Sequence, residues 1–302
     1  MATTKATKKS TSSRKTAAKK TTDSAASTVA AAKTTKTTVV KKEKKELLPS
    51  NIANRILAEL VGTFILALVA LTSASMGALY VGLTLVVVVM GVGAISGAHI
   101  NPAVTFGMWT MRKINWATGL VYWGSQFVGA MLAVAVANLV SGGAFSMSFD
   151  FTSINWSLFA IELVGMTVFM FGLTAALARD ELSAGAKALG VGLSLTIGLI
   201  AAGSLLSLAQ TTAYQKYQTE STKSQEVVAF PHELMVKGAV LNPAVALAIT
   251  ENTESQLTSG VVAEGEKQVS RFGAEVVLGT LVGAAIGGNL FVLTSYRPRK
   301  TA

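Results

Sequence analysis

Two Asn-Pro-Ala triplets, Asn101-Pro102-Ala103 and Asn242-Pro243-Ala244, carry most of the chemistry this sequence can offer. Asn is a strong helix N-cap, because its side-chain oxygen accepts from an orphan backbone N–H of the first turn. Pro suits the first helical position, where its missing N–H is not needed. The apolar run after each triplet, to about Arg112 and to about Glu251, is roughly ten residues, which spans about 15 Å as helix, half the hydrocarbon of a bilayer. Each triplet therefore predicts a half-helix. Its N-terminal end, equivalent to roughly half a positive charge, presents an Asn carboxamide whose N–H groups can donate. Two such ends brought together repel cations and disfavour a proton chain, and they suit a neutral hydroxyl-bearing molecule.

Two carboxylates repeat in the same way. Glu59 lies in Ala58-Glu59-Leu60-Val61-Gly62 and Glu162 in Ile161-Glu162-Leu163-Val164-Gly165. The shared Glu-Leu-Val-Gly marks an internal duplication. A carboxylate inside a membrane helix is costly and must face protein or water. The expected role of both is to accept backbone N–H bonds from the irregular stretch before each half-helix. The rival role is a proton relay in a coupled transporter. Glu275 has no repeat partner.

The remaining functional side chains exclude more than they offer. There is no Cys, and His99 and His232 are the two histidines. Disulfides, thiolate metal sites, cysteine catalysis and a histidine-based metal site are excluded. No catalytic triad, phosphate loop or cofactor motif appears. The expectation is a protein without catalytic residues, metal or cofactor, and not an enzyme.

Elements that could position the triplets follow from composition. The chain is 51% apolar and 14% charged, against about 25% charged in soluble domains. Residues 1–46 hold thirteen Lys/Arg against Asp23, Glu43 and Glu46, so the whole net charge of +10 sits there and the body is neutral. This Lys/Ala/Thr/Ser stretch has too few large apolar residues to fold, and residues 1–49 are expected to be a disordered basic tail. A solvated arm, attraction to anionic lipid headgroups and an organelle transit peptide stay open for it; nucleic-acid binding is disfavoured.

Six apolar segments follow, near 52–74, 78–97, 116–140, 156–178, 186–208 and 271–295, each of about 20 residues or more, enough to cross a bilayer. Small residues at helical spacing, Gly129 with Ala133 and Gly279, Gly283 and Gly287, permit close helix approach in lipid. Arg112, Lys113, Arg179, Lys187, Arg297, Arg299, Lys300 and the tail fall on one side of the thread, so the positive-inside rule places both termini in the cytoplasm. The triplets lie between segments 2 and 3 and between segments 5 and 6. With three segments per half, the halves insert with opposite sense, and the two half-helices meet at the midplane.

Ser96-Gly97-Ala98-His99-Ile100-Asn101-Pro102-Ala103-Val104-Thr105 resembles the first signature loop of the aquaporin (major intrinsic protein) family. Glu59 with Gly62-Thr63-Phe64 resembles its first helix, and Tyr122-Trp123 with Gln126, Gly129 and Ala130 its third. The likeness covers residues 50–298, with halves at about 50–140 and 156–298. It implies an all-α membrane protein with six transmembrane helices and two re-entrant half-helices, assembled as a homotetramer with one pore per subunit. It also implies that His99 packs beside the pore; taken alone, a buried structural histidine is the simpler reading.

Two departures from the family stand out. The family usually has Arg after the second Asn-Pro-Ala, where this chain has Val245. Alignment puts Val81, Leu199, Ala239 and Val245 at the four outer filter positions, and all are apolar. The second departure is a polar insertion, 203–238, expected as an extended outer loop over or beside the pore mouth. Lys237 is placed either to supply the missing positive charge or to point to solvent. The expected function is passive passage of water and small neutral solutes, glycerol-like or ammonia-like. The alternatives are a proton-coupled transporter using Glu59, Glu162 or Glu275, and a non-conducting adhesion or scaffold protein.

Overall fold

The structure is a computed structural model and describes residues 47–72, 77–142, 148–223 and 227–295. The expectations for the basic tail up to Glu46, and for Arg297, Arg299 and Lys300, lie outside these residues. Six helices are long and apolar enough to cross a membrane. They are α1 (Ile52–Thr72), α2 (Ala78–Ser96), α4 (Trp116–Ser141), α5 (Trp156–Leu177), α6 (Ala184–Lys223) and α10 (Ala274–Thr294). Two half-helices, α3 (Pro102–Thr110) and α8 (Pro243–Ala248), and two short helices, α7 (His232–Met235) and α9 (Glu254–Ser259), complete the elements. Among the described residues, isolated bridges such as Thr250 with Ser270 stand in place of strands.

Caps start the helices where the sequence places them. Asn115 Oδ1 accepts from Thr118 N, and Asn155 Oδ1 from Leu158 N. Gly97, with φ of 91°, ends α2 in the left-handed conformation and turns the chain toward the first half-helix.

Close helix packing obeys the duplication. A Cβ on Gly129 of α4 would collide with the Leu60 carbonyl of α1, and one on Gly283 of α10 would lie 2.5 Å from the Leu163 carbonyl of α5. Leu60 follows Glu59, and Leu163 follows Glu162, so these are the same contact in the two halves. Gly279 would likewise meet the Phe159 carbonyl at 2.7 Å. The glycine row of α10 is therefore a seat for the α5 backbone. The architecture is all-α, six membrane-length helices and two half-helices in an inverted repeat.

Three boundaries differ from the sequence reading. The second half-helix stops at Ala248, because Ile249 is extended and its carbonyl accepts from Arg271 N at 2.8 Å. Helix α10 begins at Ala274, which leaves Arg271 outside the span. The insertion is not an extended loop along its length: α6 runs unbroken for 40 residues, about 60 Å. From Ser204 to Lys223 the chain has no Gly or Pro, so nothing breaks the helix when the composition turns polar. Thr211, Thr212, Thr219 and Thr222 bond the carbonyl four residues back, and Lys216 pairs with Glu220 at 3.8 Å.

Candidate functional site

The two half-helices meet through their Asn residues. Asn101 Oδ1 accepts from Ala103 N at 2.8 Å, and Asn242 Oδ1 from Ala244 N at 3.0 Å and Val245 N at 3.3 Å. Each Asn therefore caps its own helix. Its carboxamide nitrogen reaches across the duplication: Asn101 Nδ2 donates to the Leu241 carbonyl at 2.8 Å, and Asn242 Nδ2 to the Ile100 carbonyl at 3.0 Å. A carboxamide has two N–H groups, so each Asn keeps a second donor, and both residues line the same cavity.

The residues before the Asn pair are strained. Ile100 has φ of 41° and Leu241 of 55°, a region costly for side chains with a Cβ. Glutamates hold them there. Glu59 accepts from His99 N at 3.0 Å and Ile100 N at 2.6 Å, and Glu162 accepts from Val240 N at 3.1 Å and Leu241 N at 2.9 Å. Each half thus carries a relay, from carboxylate to strained peptide to the Asn of the opposite half. Bonds in such a chain polarise one another.

The groups that bond Glu59 are neutral. Gln126 Nε2 donates to Glu59 at 2.8 Å and to Thr105 Oγ1 at 2.9 Å. His99 is buried, with Nδ1 3.2 Å from the Thr105 hydroxyl and its ring edge-on to Tyr122 at 5.2 Å. It also lines the cavity.

Around Glu162 the neighbours are charged. Arg271 is 2% exposed, with Nη2 3.6 Å from Glu162, and Nη1 2.7 Å from Glu275 and 3.4 Å from Glu251. Glu251 in turn bonds His232 Nε2 at 2.7 Å. That bond is the main reason the His232 pKa is raised above its ordinary value, against a smaller lowering by burial. His232, Glu251 and Glu275 bring donor atoms within 4.8 Å of one another, as a metal triad would. The guanidinium, however, already occupies both carboxylates, and a second cation beside it is disfavoured. Sequence reading missed Arg271, Glu251 and His232. The signal available was the spacing of four between Arg271 and Glu275 at a membrane boundary.

A cavity of about 310 Å³ opens above the Asn pair. Its wall includes Val81, Leu199, Ala239 and Val245, and Lys237 lies on its lining as well. Lys237 is exposed, whereas Val245 is buried, 4% exposed, and presents only carbon.

Comparison with known proteins places this arrangement. The family model described as "Major intrinsic protein" matches residues 46–214. Aquaporin NIP2-3 of Zea mays is 33% identical over 172 residues, 52% of this chain and 57% of that protein. Probable aquaporin TIP3-2 of Oryza sativa subsp. japonica is 38% identical over 113 residues, 37% of this chain and 41% of that protein. The chain thus spans roughly half the length of these curated relatives. The solved aquaglyceroporin of Plasmodium falciparum superposes with a TM-score of 0.47 at 17% identity, covering 80% of this chain and 94% of that one. With the family model matching more than half of its length, the chain belongs to the major intrinsic protein family.

Proposed function

We propose that the chain is a passive transmembrane channel for water and small neutral solutes of glycerol or ammonia type, with an apolar outer filter in place of an arginine. The observation that carries this is the cavity itself. Val81, Leu199, Ala239 and Val245 contribute carbon to its wall, with Lys237 and His99 also on the lining, and Asn101 and Asn242 bring their second N–H groups to the same cavity. A solute entering it gives up hydrogen bonds to water along a mostly carbon surface before the Asn pair offers replacements. That sequence favours small, weakly polar molecules, and without Arg the exclusion of cations falls to the two half-helix ends. Residues 50–298 are the channel domain in this reading. Assembly as a homotetramer, cytoplasmic termini and contact of the basic tail with anionic lipid belong to the same proposal. The proton-coupled reading finds less support, because Glu59, Glu162 and Glu275 are each committed to bonds within the protein.

The test is stopped-flow light scattering on proteoliposomes given matched hyperosmotic glycerol and sucrose steps. Fast shrinkage in both, with fast reswelling in glycerol alone, is the expected result. Fast shrinkage without accelerated reswelling means a water-selective pore and removes the apolar-filter reading. Shrinkage no faster than protein-free vesicles removes the channel reading.

A further inference from the structure

Half-helix α3 and helix α4 form a second groove, none of whose lining residues lines the candidate pore cavity. Phe106 and Trp109 of α3 face Trp116, Leu120 and Trp123 of α4 across a pocket of about 160 Å³, with Gly119 in its lining. The α4 residues recur at positions i, i+4 and i+7, one helix stripe. The three indoles are differently placed. Trp123 is partly buried and its Nε1 donates to the Pro102 carbonyl at 2.9 Å, so that ring is fixed with its donor satisfied. Trp109 and Trp116 are 46% and 56% exposed at the ends of their helices. From Trp116 to Trp123 the groove runs about 10 Å, a third of the hydrocarbon thickness.

Charge marks the open end. Arg112 and Lys113 form the turn between α3 and α4, and both are exposed. The turn is built, not loose: Arg112 N donates to the Trp109 carbonyl and Lys113 N to the Met108 carbonyl, each at 2.8 Å, with Arg112 at φ of 59°. Among the described residues no carboxylate forms an ion pair with either cation. An apolar slot about a third of the hydrocarbon deep, two indoles at its rim and two exposed cations on the turn that joins its helices match the upper part of one lipid molecule.

We propose that this groove is a binding site for an anionic phospholipid, with one acyl chain between the tryptophans and the phosphate on Arg112 and Lys113. The site rests on the membrane setting alone and is independent of what the pore conducts.

Three of the four tryptophans line the groove, and Trp156 is the fourth. Trp156→Phe therefore makes tryptophan fluorescence a report on the site. The full chain with that change is reconstituted in vesicles containing dibrominated phosphatidylglycerol or dibrominated phosphatidylcholine at equal mole fraction. Bromine quenches indole on contact. The expected result is about a fivefold preference for the anionic lipid, since each basic residue near the surface adds to its attraction. Arg112→Gln with Lys113→Gln should bring the two lipids to parity. Gly119→Leu should also lower the preference with both cations in place, because a Cβ there meets Ile114 and Thr105 only at 3.8 Å and the longer side chain grows into the slot. Equal quenching of the parent by both lipids overturns the site. A preference that survives the double charge variant assigns it to the basic tail and also overturns the site. Quenching by neither lipid means that a second copy covers the groove. Helical circular dichroism and the thermal unfolding midpoint of each variant, measured on the same preparations, separate loss of the site from loss of the fold.

Discussion

In the first half, the loop before the half-helix is held by Glu59 and an uncharged amide, Gln126; in the second, by Glu162 and a buried cation, Arg271. The backbone demand is the same in both places: two consecutive N–H groups aimed at one carboxylate, with the second residue in the left-handed region. The solutions differ because the chain arrives differently. The first loop follows α2 through Gly97 and needs only local bracing. The second comes off a helix that has run on through Lys223, and its outer side must be tied to something. Arg271 makes that tie, joining α5, the strand-like exit of α8 and α10, with His232 of α7 reached through Glu251. One backbone geometry can therefore be retained in a duplicated fold while the partner of the bracing carboxylate changes from neutral to charged.

The largest effect should come from removing the cation. Arg271→Gln leaves Glu162, Glu251 and Glu275 buried without it, and breaking a buried ionic network in this way costs about 3–5 kcal/mol. Gln126→Ala removes bonds to one carboxylate and one hydroxyl, a loss of about 1–3 kcal/mol. Thermal unfolding midpoints in one detergent should order the variants Arg271→Gln well below Gln126→Ala, and both below the parent. Equal midpoints would mean that the two braces are energetically alike and that the charged clasp is incidental.

The residue after each Asn-Pro-Ala is Val in both halves, Val104 and Val245, but only Val245 is among the cavity-lining residues. Val245→Arg should break this equivalence from the solute side. We expect glycerol reswelling to fall roughly tenfold, about 1.4 kcal/mol of added barrier, with water flow retained. Unchanged solute permeabilities would remove Val245 from the proposed filter.

His232 makes the second clasp pH-dependent. Its pKa is raised by Glu251, with Arg271 opposing and Glu275 assisting. The stabilisation is complete below the unfolded value of about 6.5 and lost as pH rises through the raised folded value. The imidazole is 37% exposed, so the contribution is screened to about 1 kcal/mol. Unfolding midpoints should decline from pH 6 to 8 in the parent and stay flatter in His232→Gln. The same slope in both would place the titration elsewhere.

Much of this architecture is legible in the sequence for a physical reason: features present twice constrain each other. The Asn-Pro-Ala pair and the Glu-Leu-Val-Gly pair fix the inverted repeat, and apolar length fixes the six spans. Features present once are harder to read. Arg271 looks like a boundary charge until Glu162, far away in the chain, is found 3.6 Å from it. The polar half of α6 reads as loop because hydrophobic periodicity stops there, although extending a helix that is already nucleated costs far less than starting one.

That helix supplies the smallest and most local test. Gln210, on the continuation of α6, donates from Nε2 to the carbonyls of Glu233 and Val236, each at 2.9 Å. It pins both ends of α7, the segment that carries His232 and leads into Val240 and Leu241. Gln210→Ala removes both bonds at a partly buried position where water can replace them, so the loss is about 0.5–1.5 kcal/mol. Global unfolding should barely move. Hydrogen exchange of the amides from Leu234 to Lys237 should quicken, because their opening no longer breaks the Gln210 bonds. The amides of Val240 and Leu241, held by Glu162, should keep their protection. If all of 234–241 quickens together, the insertion and the pore loop open as one unit, and the charged clasp alone does not hold the second half. If nothing quickens, α7 is kept in place by the His232–Glu251 bond, and His232→Gln becomes the variant that releases it.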